Sequence, residues 1–168
     1  MNARLQPRTG PHLRTRAMLA SDADAVAAIE ARAYSFPWTR GNFIDSLAAG
    51  YAAQLLHADD QLVGYFIAMP GVDELHLLNI TVAPAEQGQG YGSLLLDHVR
   101  ALARQLSLPR LLLEVRGSNE CARGLYLRRG FQDVGLRRGY YPAAQGREDA
   151  LVMSLQLDLV RGEPRGLV

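Results

Sequence analysis

A single carboxylate interrupts a short apolar run near the middle of the chain. Glu114 follows three leucines and precedes a valine in residues 111–115, which predicts a strand buried on both faces. Burial disfavours the charged form of a carboxyl group, so we expect a raised pKa for Glu114 and a general base active near neutral pH. Arg116 would lie on the same face of this strand, so a structural ion pair is the alternative.

A glycine-rich turn precedes the clearest amphipathic helix pattern in the chain. Residues 87–92 read Gln-Gly-Gln-Gly-Tyr-Gly, and leucines and a valine then recur at steps of three and four. Glycine permits close approach to a helix N-terminus with free backbone N–H groups, so Gln89 to Ser93 could bind a pyrophosphate. The third glycine falls one residue too early for a dinucleotide fingerprint. A phosphate-binding turn and a purely structural turn therefore both remain open.

The helix predicted after Glu114 carries three further candidates. Asn119 is a plausible N-cap, and Tyr126 lies two helical turns later on the same face. Side chains of such a helix can cover the carboxyl end of the preceding strand, where α/β sites gather, although ordinary packing would also explain Tyr126. Cys121 could act as an acyl-accepting nucleophile, but no histidine is near it in sequence.

Composition excludes several classes of function. The chain has 168 residues, enough for one domain, and 18 basic against 17 acidic side chains, which predicts no direct nucleic-acid binding. Every basic residue is arginine, so a Walker A loop and a Schiff-base lysine are excluded. One cysteine argues against a disulfide framework and favours the cytoplasm. We expect no membrane span, signal peptide or metal site. Four histidines lack ligand spacing and are expected to be structural: His12, His57, His76 and His98.

Periodicity and capping residues predict one α/β domain over residues 12–157, between a disordered basic tail (1–11) and a flexible tail (158–168). The predicted element order is β-α-α-β-β-β-α-β-α-β-β. The predicted helices begin at the N-caps Ser21 and Thr39, at the glycine turn, and at the N-cap Asn119. The predicted strands are residues 13–19, 51–57, 62–69, 75–82, 111–115, 131–136 and 150–157.

The glycine turn and its surroundings resemble the acetyl-CoA motif of the GCN5-related N-acetyltransferase (GNAT) superfamily. Ile80-Thr81-Val82 and Pro84 precede Gln87-x-x-Gly90-x-Gly92, and the predicted element order is also similar. Between residues 13 and 155, further segments resemble the branch of this superfamily that acetylates the N-terminal alanine of a bacterial ribosomal protein. These segments are Phe36-Pro37-Trp38, Asn79-Ile80, Leu113-Glu114-Val115-Arg116-x-Ser118-Asn119, Leu125-Tyr126, Gly130-Phe131, Arg137-Arg138-x-Tyr140-Tyr141-Pro142 and Gly146-Arg147-Glu148-Asp149-Ala150.

The resemblance implies a GNAT fold, with about seven strands and four helices in a mixed sheet that splays at an acetyl-CoA cleft. It implies that Glu114 is the general base and Tyr126 the general acid that protonates the departing CoA thiolate. The chain departs from the family pattern at Gly88, where arginine or another bulky residue is common in the family; this removes a charge from the turn and would weaken phosphate contacts, while the backbone donors remain. The implied cofactor-binding residues are Ile80, Thr81 and Val82 along pantetheine, Gly88, Gln89, Gly90, Tyr91, Gly92 and Ser93 against the pyrophosphate, and Asn119.

The implied reaction is direct attack of a neutral amine on the thioester in a ternary complex, with a backbone N–H of the splayed strand holding the oxyanion. An α-amine, with a pKa of about 8, needs only a modest base, unlike a lysine at about 10.4. The implied substrate is the N-terminal alanine of the eighteenth small-subunit ribosomal protein, whose following basic residues could meet Asp73, Glu74 or Glu148. We expect a monomer or weak dimer.

Four aromatic residues could form the rim of a peptide slot, with ordinary packing as the alternative: Phe36, Trp38, Tyr140 and Tyr141. Two rival functions remain open. One is transfer to another amine, such as an internal lysine, a polyamine or a drug. The other is a non-catalytic acyl-CoA sensor or ribosome-associated binding module, for which the glycine turn and the basic tail would suffice.

Overall fold

A computed structural model of the protein describes residues 10–159. The predicted tails, residues 1–11 and 158–168, fall largely outside this range. The strands are β1 (Leu13–Ala17), β2 (Ala52–Ala58), β3 (Gln61–Pro70), β4 (Glu74–Val82), β5 (Arg110–Arg116), β6 (Gln132–Pro142) and β7 (Arg147–Gln156). The helices are α1 (Ala23–Ala33), α2 (Arg40–Ala48), α3 (Tyr91–Gln105) and α4 (Glu120–Arg128).

The strands form one seven-stranded sheet in the order β1-β2-β3-β4-β5-β7-β6. Every pair of neighbours is antiparallel except β4 and β5, which run parallel. Helices α1 and α2 pack on one face of the sheet, and α3 and α4 pack on the other. The predicted α/β class and element order are therefore confirmed. No helix in the described range is long and apolar enough to cross a bilayer.

Local signals placed most helix starts. The Thr39 hydroxyl accepts a hydrogen bond from the Asn42 backbone N–H at 3.2 Å, and Asn119 Oδ1 accepts one from Ala122 at 3.2 Å, so both predicted caps are confirmed. The prediction of Ser21 as a cap is wrong. A short 3₁₀ turn precedes α1, and the carboxylate of Asp22 accepts the Leu19 N–H at 2.8 Å.

The ladder between β4 and β5 is short. The two strands pair only from Glu74 to Leu77 on β4 and from Arg110 to Leu113 on β5. Beyond these residues β4 follows β3, and β5 follows β7 as far as Arg116. The facing edges of β4 and β5 are consequently unpaired from Leu78 and Glu114 onward, which opens a seam in the middle of the sheet.

A β-bulge in β4 coincides with the start of this seam. Ala68 pairs with Leu77 and Ile67 pairs with Asn79, so Leu78 is an extra residue in the strand. A bulge bends its strand and changes which side chains face each side. After the bulge, the side chains of Asn79 and Thr81 face α1, whereas those of Ile80 and Val82 pack toward α3.

Candidate functional site

Glu114 is the first residue of β5 beyond its last pair with β4. Its leucine and valine neighbours join the core beneath α3, so the carboxylate points to the opposite face of the sheet. The side chain is only 7% exposed. Its Oε2 atom lies 3.0 Å from Nε2 of His76 on β4, and its Oε1 atom lies 3.0 Å from Nε of Arg137 on β6. The expected alternative, an ion pair between Glu114 and Arg116, is wrong, because Arg116 pairs with Glu148.

The environment of Glu114 favours its charged form. The hydrogen bond from His76 is the largest influence and lowers the pKa of the carboxyl group, while burial opposes this shift and the charges of His76 and Arg137 add to it. The expectation of a raised pKa for Glu114 is therefore wrong, because the hydrogen bond from His76 outweighs the effect of burial. At neutral pH Glu114 is an anion. Its Oε1 atom has no aligned hydrogen-bond donor within residues 10–159, although Arg137 is close.

Tyr126 occupies the buried face of α4. The residue is 7% exposed, and its ring packs against Phe131 with centroids 5.6 Å apart. Burial raises the pKa of the Tyr126 phenol, and the phenols of Tyr34 and Tyr141 raise it further. Tyr126 is thus protonated at neutral pH and lies near the phenols of Tyr34 and Tyr141. Tyr34 in turn donates to the Ile80 carbonyl of β4 at 3.2 Å. A protonated phenol can donate a proton, as a general acid must.

A buried polar network holds the part of β4 beyond the bulge against α1. Glu30 of α1 is 2% exposed, and its carboxylate accepts hydrogen bonds from the Tyr65 hydroxyl and from Asn79 Nδ2 at 3.2 Å. The Thr81 hydroxyl donates to Asn79 Oδ1 at 2.7 Å and also contacts the Tyr34 hydroxyl at 2.8 Å. The side chain of Thr81 therefore faces this network, and the Tyr34 hydroxyl also donates to the Ile80 carbonyl at 3.2 Å. Of the three residues expected along pantetheine, Ile80 and Val82 are the ones whose side chains pack toward α3.

The glycine turn has the geometry of an anion-binding site. Gly88 and Gly90 have φ values of +80° and +87°, and a Cβ added at either would meet open space. Residues 87–90 are exposed, and the turn leads directly into the 15-residue helix α3. Because the first backbone N–H groups of a helix have no carbonyl partner within it, they point toward the turn with the positive end of the helix dipole.

The remaining predicted cofactor residues lie around the same turn. A Cβ at Gly92 would come within 3.3 Å of Leu125 on α4, so glycine keeps the two helices close. The ring of Tyr91 is buried in the core, which leaves its backbone for binding, and Gln89 donates to Glu86 at 3.0 Å. Asn119 uses its Oδ1 atom as the cap of α4. The turn, helix start and seam fit an extended pyrophosphate-containing cofactor such as acetyl-CoA.

Part of the predicted aromatic rim is organised around Arg116. Its guanidinium lies 4.5 Å from the ring centroid of Tyr141 and 5.5 Å from that of Phe36, so it joins the α1–α2 loop to the β6–β7 hairpin. Arg116 also donates to the Pro142 carbonyl at 2.7 Å and to Glu148 at 3.2 Å. The rim thus covers the end of β5 immediately beyond Glu114.

The other predicted rim and substrate-reading residues are distributed differently. Tyr140 packs edge-on against Tyr141 at 4.9 Å, but Trp38 is half-buried, packs against Phe43 and belongs to the core beneath α2. Two of the three acids expected to meet a basic substrate lie elsewhere. Asp73 and Glu74 pair with Arg110 at the far end of β4, so only Glu148 is at the rim. Cys121 is exposed in the first turn of α4.

Sequence reasoning missed two residues of this site. His76 was expected to be structural, and its contact with Glu114 depends on the parallel register of two strands that are distant in sequence. Glu30 did carry a signal, because it lies four residues after the buried Val26 and next to the buried Ile29. That spacing places a carboxylate on the apolar face of a helix, where a hydrogen-bonded network is the usual explanation.

Comparisons with known proteins agree with this geometry. The profile of the Acetyltransferase (GNAT) family matches residues 23–131. A [ribosomal protein bS18]-alanine N-acetyltransferase of Salmonella typhimurium is 39% identical over 139 residues, which cover 83% of this chain and 94% of that protein. The enzyme of that name from Escherichia coli K12 is 37% identical with the same coverage.

Solved structures show the same relationship. The crystal structure of the ribosomal-protein-S18-alanine N-acetyltransferase from Escherichia coli has a TM-score of 0.83 and 34% identity, covering 93% of this chain and 100% of that one. Ard1 from Thermoplasma volcanium has a TM-score of 0.77 at 21% identity, which shows a shared fold; it covers 86% of this chain and 97% of that one.

The lowered pKa of Glu114 predicts how its contribution to stability changes with pH. A carboxyl group whose pKa is lower in the folded than in the unfolded state stabilises the fold above its unfolded pKa, and this contribution disappears as the pH falls through its folded pKa. We therefore expect the free energy of unfolding of the native chain, relative to Glu114→Gln, to increase from acid to neutral pH and then level off. Urea unfolding of both proteins across this range measures it, and a difference that shrinks as the pH rises would contradict it.

Proposed function

Because the chain belongs to the acetyltransferase (GNAT) family, we propose that it transfers the acetyl group of acetyl-CoA to the α-amine of an N-terminal alanine, and that its substrate is ribosomal protein bS18. The observation that carries this proposal is the buried anion of Glu114 at the inner end of an open seam between two strands. A ribosomal substrate would place the reaction in the cytoplasm. The predicted monomer or weak dimer stays a prediction.

The residues of the seam and the glycine turn would hold acetyl-CoA. Its pyrophosphate would accept hydrogen bonds from the backbone N–H groups between Gly88 and Ser93, at the positive end of α3. Its pantetheine arm would lie along the backbone of residues 80–82, whose edge is free of β5. When bound, the molecule supplies an activated thioester carbonyl. An unpaired backbone N–H on that edge of β4 can hold the carbonyl oxygen as negative charge develops on it.

Glu114 would act on the substrate amine rather than on acetyl-CoA. An α-amine has a pKa of about 8, so a useful fraction is neutral without a strong base. The anionic Oε1 atom can hold the amine by accepting a hydrogen bond. Once the new C–N bond forms, the nitrogen becomes positively charged and much more acidic, so even a carboxylate of lowered pKa can accept its proton.

Tyr126 would complete the transfer on the other side of the carbonyl carbon. As the C–S bond breaks, the sulfur leaves as a thiolate that needs a proton. The high pKa of Tyr126 keeps its phenol protonated until that charge develops, and the buried position of the ring excludes competing water. In this mechanism Glu114 accepts the proton from the nitrogen and Tyr126 donates a proton to the sulfur. No acyl-enzyme forms.

The rim formed by Phe36, Arg116 and Tyr141 is the proposed entrance for the protein substrate. It spans from the α1–α2 loop to the β6–β7 hairpin directly beyond Glu114. A peptide N-terminus that passes this rim would bring its amine to the carboxylate, while the rest of the peptide stays outside. Glu148 is the acid available to meet a basic residue of the substrate, although it already bonds Arg116 and the Ser118 N–H.

A panel of acceptors tests the proposed substrate class. We expect purified protein and acetyl-CoA to acetylate a peptide with the bS18 N-terminal sequence at its α-amine, faster than the same peptide beginning with Ser or Met. The same peptide with a blocked N-terminus and an internal lysine should be inactive, as should a polyamine. Mass spectrometry of the products and release of free CoA measure this. Faster turnover of the blocked peptide or the polyamine would establish another amine as the substrate, and binding of acetyl-CoA without any turnover would favour the sensor.

Conservative substitutions test the two proposed catalytic residues. We expect Glu114→Gln and Tyr126→Phe each to lower kcat by about a hundredfold or more, the usual contribution of a general acid or base, while acetyl-CoA affinity is retained. Cys121→Ala is the matched control and should keep the activity of the native chain. Steady-state kinetics and calorimetric titration of acetyl-CoA provide the two readouts. Loss of activity in Cys121→Ala alone would instead indicate a covalent acyl-enzyme.

Substitutions of Tyr141 test the proposed peptide entrance. We expect Tyr141→Ala to raise the KM for the peptide by about three- to thirtyfold, the equivalent of one lost aromatic contact with the peptide, with little change in the KM for acetyl-CoA. Tyr141→Phe keeps the ring over Arg116 and should resemble the native protein. Equal effects on both KM values would show that the ring only supports the fold.

A further inference from the structure

His76 and Glu114 meet at the point where the sheet opens. His76 pairs with Leu112 in the parallel ladder, and Glu114 lies two residues further along β5. Both side chains point away from α3, since their leucine neighbours enter the core on that face. His76 is 15% exposed and Glu114 is 7% exposed, and their Nε2 and Oε2 atoms are 3.0 Å apart. The contact is therefore a largely buried hydrogen bond of ordinary length between a paired residue of β4 and the first unpaired residue of β5.

This hydrogen bond fixes the direction of the carboxylate. Because Glu114 is ionised, Nε2 of His76 must carry the hydrogen and donate it to Oε2. The two oxygens of the carboxylate thus become different. Oε2 is committed to His76, whereas Oε1 lies near a charge but has no aligned donor in the described part of the chain. Acceptance of a hydrogen bond from an amine requires an oriented carboxylate with one oxygen that has no hydrogen-bond donor, and within residues 10–159 Oε1 is that oxygen although the charge of Arg137 lies 3.0 Å away.

Arg137 cannot give the same orientation. Its side chain is 52% exposed and comes from β6, and its guanidinium lies over the ring of Tyr140 at 5.4 Å. It stands 3.0 Å from Oε1 without the alignment of a hydrogen bond, so it contributes charge rather than direction. His76 is held by its strand and is the better-fixed partner.

We propose that His76 is a positioning residue of the acetyl transfer, which holds the Glu114 carboxylate through Oε2 so that Oε1 faces the substrate amine. The inference rests on the proposed function. His76 touches Glu114 and acts through it. The competing explanation is structural, because the same pair could simply tie β4 to β5 where their ladder ends.

Substitutions of His76 separate the two explanations. His76→Gln places an amide N–H near the position of Nε2 and keeps the donor, whereas His76→Leu and His76→Asn remove or misplace it. We expect kcat to fall by about tenfold or more in the Leu and Asn variants, the equivalent of one hydrogen bond to a charged group, and to stay within about threefold of native in the Gln variant. The KM for acetyl-CoA should not change. His98→Leu, on α3 beyond the opposite face of the sheet, is the matched control and should behave as the native chain.

A second readout needs no bound substrate. The ¹³C resonance of the Glu114 carboxyl follows its titration in the free protein. The groups that face this carboxyl are His76 on β4 and Arg137 and Tyr141 on β6. Loss of the His76 donor removes the largest influence that lowers the pKa, so the midpoint should rise in His76→Leu and His76→Asn and stay low in His76→Gln.

The outcomes are distinguishable. The inference is supported when the Gln variant retains both kcat and the low midpoint, and when His76→Leu costs nothing further in a Glu114→Gln background. It is overturned when Gln, Leu and Asn variants lose activity equally in step with thermal stability, or when all three match the native chain. If the native chain acetylates no peptide, the proposed function fails, whereas an unchanged carboxyl midpoint in every variant would reject the His76 contact itself.

Discussion

The end of the parallel ladder between β4 and β5 is the constraint on which the site depends. After Leu77 and Leu113 each strand is held only on its outer edge, β4 by β3 and β5 by β7. Because no ladder hydrogen bonds join β4 to β5 beyond these residues, the two strands are free to diverge. The inner edges of both strands carry no ladder hydrogen bonds there, although the Ile80 and Val82 carbonyls accept hydrogen bonds from Tyr34 and Gln87 at 3.2 Å. The first side chain inside the opening is the carboxylate of Glu114.

The divergence is stabilised mainly from the α1 side. Leu78 forms a bulge that bends β4, and the Glu30 carboxylate then accepts hydrogen bonds from Asn79 and Tyr65 and from the Trp38 backbone N–H at 3.1 Å. No arginine or histidine within residues 10–159 forms an ion pair with Glu30. A buried carboxylate without a counter-ion is tolerable only when its oxygens are fully hydrogen-bonded. Its partners are consequently held in fixed positions, and so is the wall of the seam.

The fold was predictable where local patterns determine structure. Capping side chains marked α2 and α4, and alternating or continuous apolar runs marked the inner strands. The length of β6 was underestimated, because its residues are almost all exposed and show no alternation. At the site, Glu114 and Tyr126 could be singled out by residue type, but the lowered pKa of Glu114 could not. It depends on His76, which reaches the carboxylate only after two distant strands have paired in one particular register.

The composition of the glycine turn affects how ionic strength would act on acetyl-CoA binding. Gly88 has a left-handed backbone and brings no charged side chain to the turn. If acetyl-CoA binds as proposed, its phosphates are held by short-range amide contacts and the dipole of α3 instead of a mobile, solvated cation at that position. Dissolved electrolyte weakens exposed charge pairs far more than close hydrogen bonds. The affinity of this chain for acetyl-CoA would therefore fall less with rising ionic strength than the affinity of a site that holds phosphates through exposed cationic side chains.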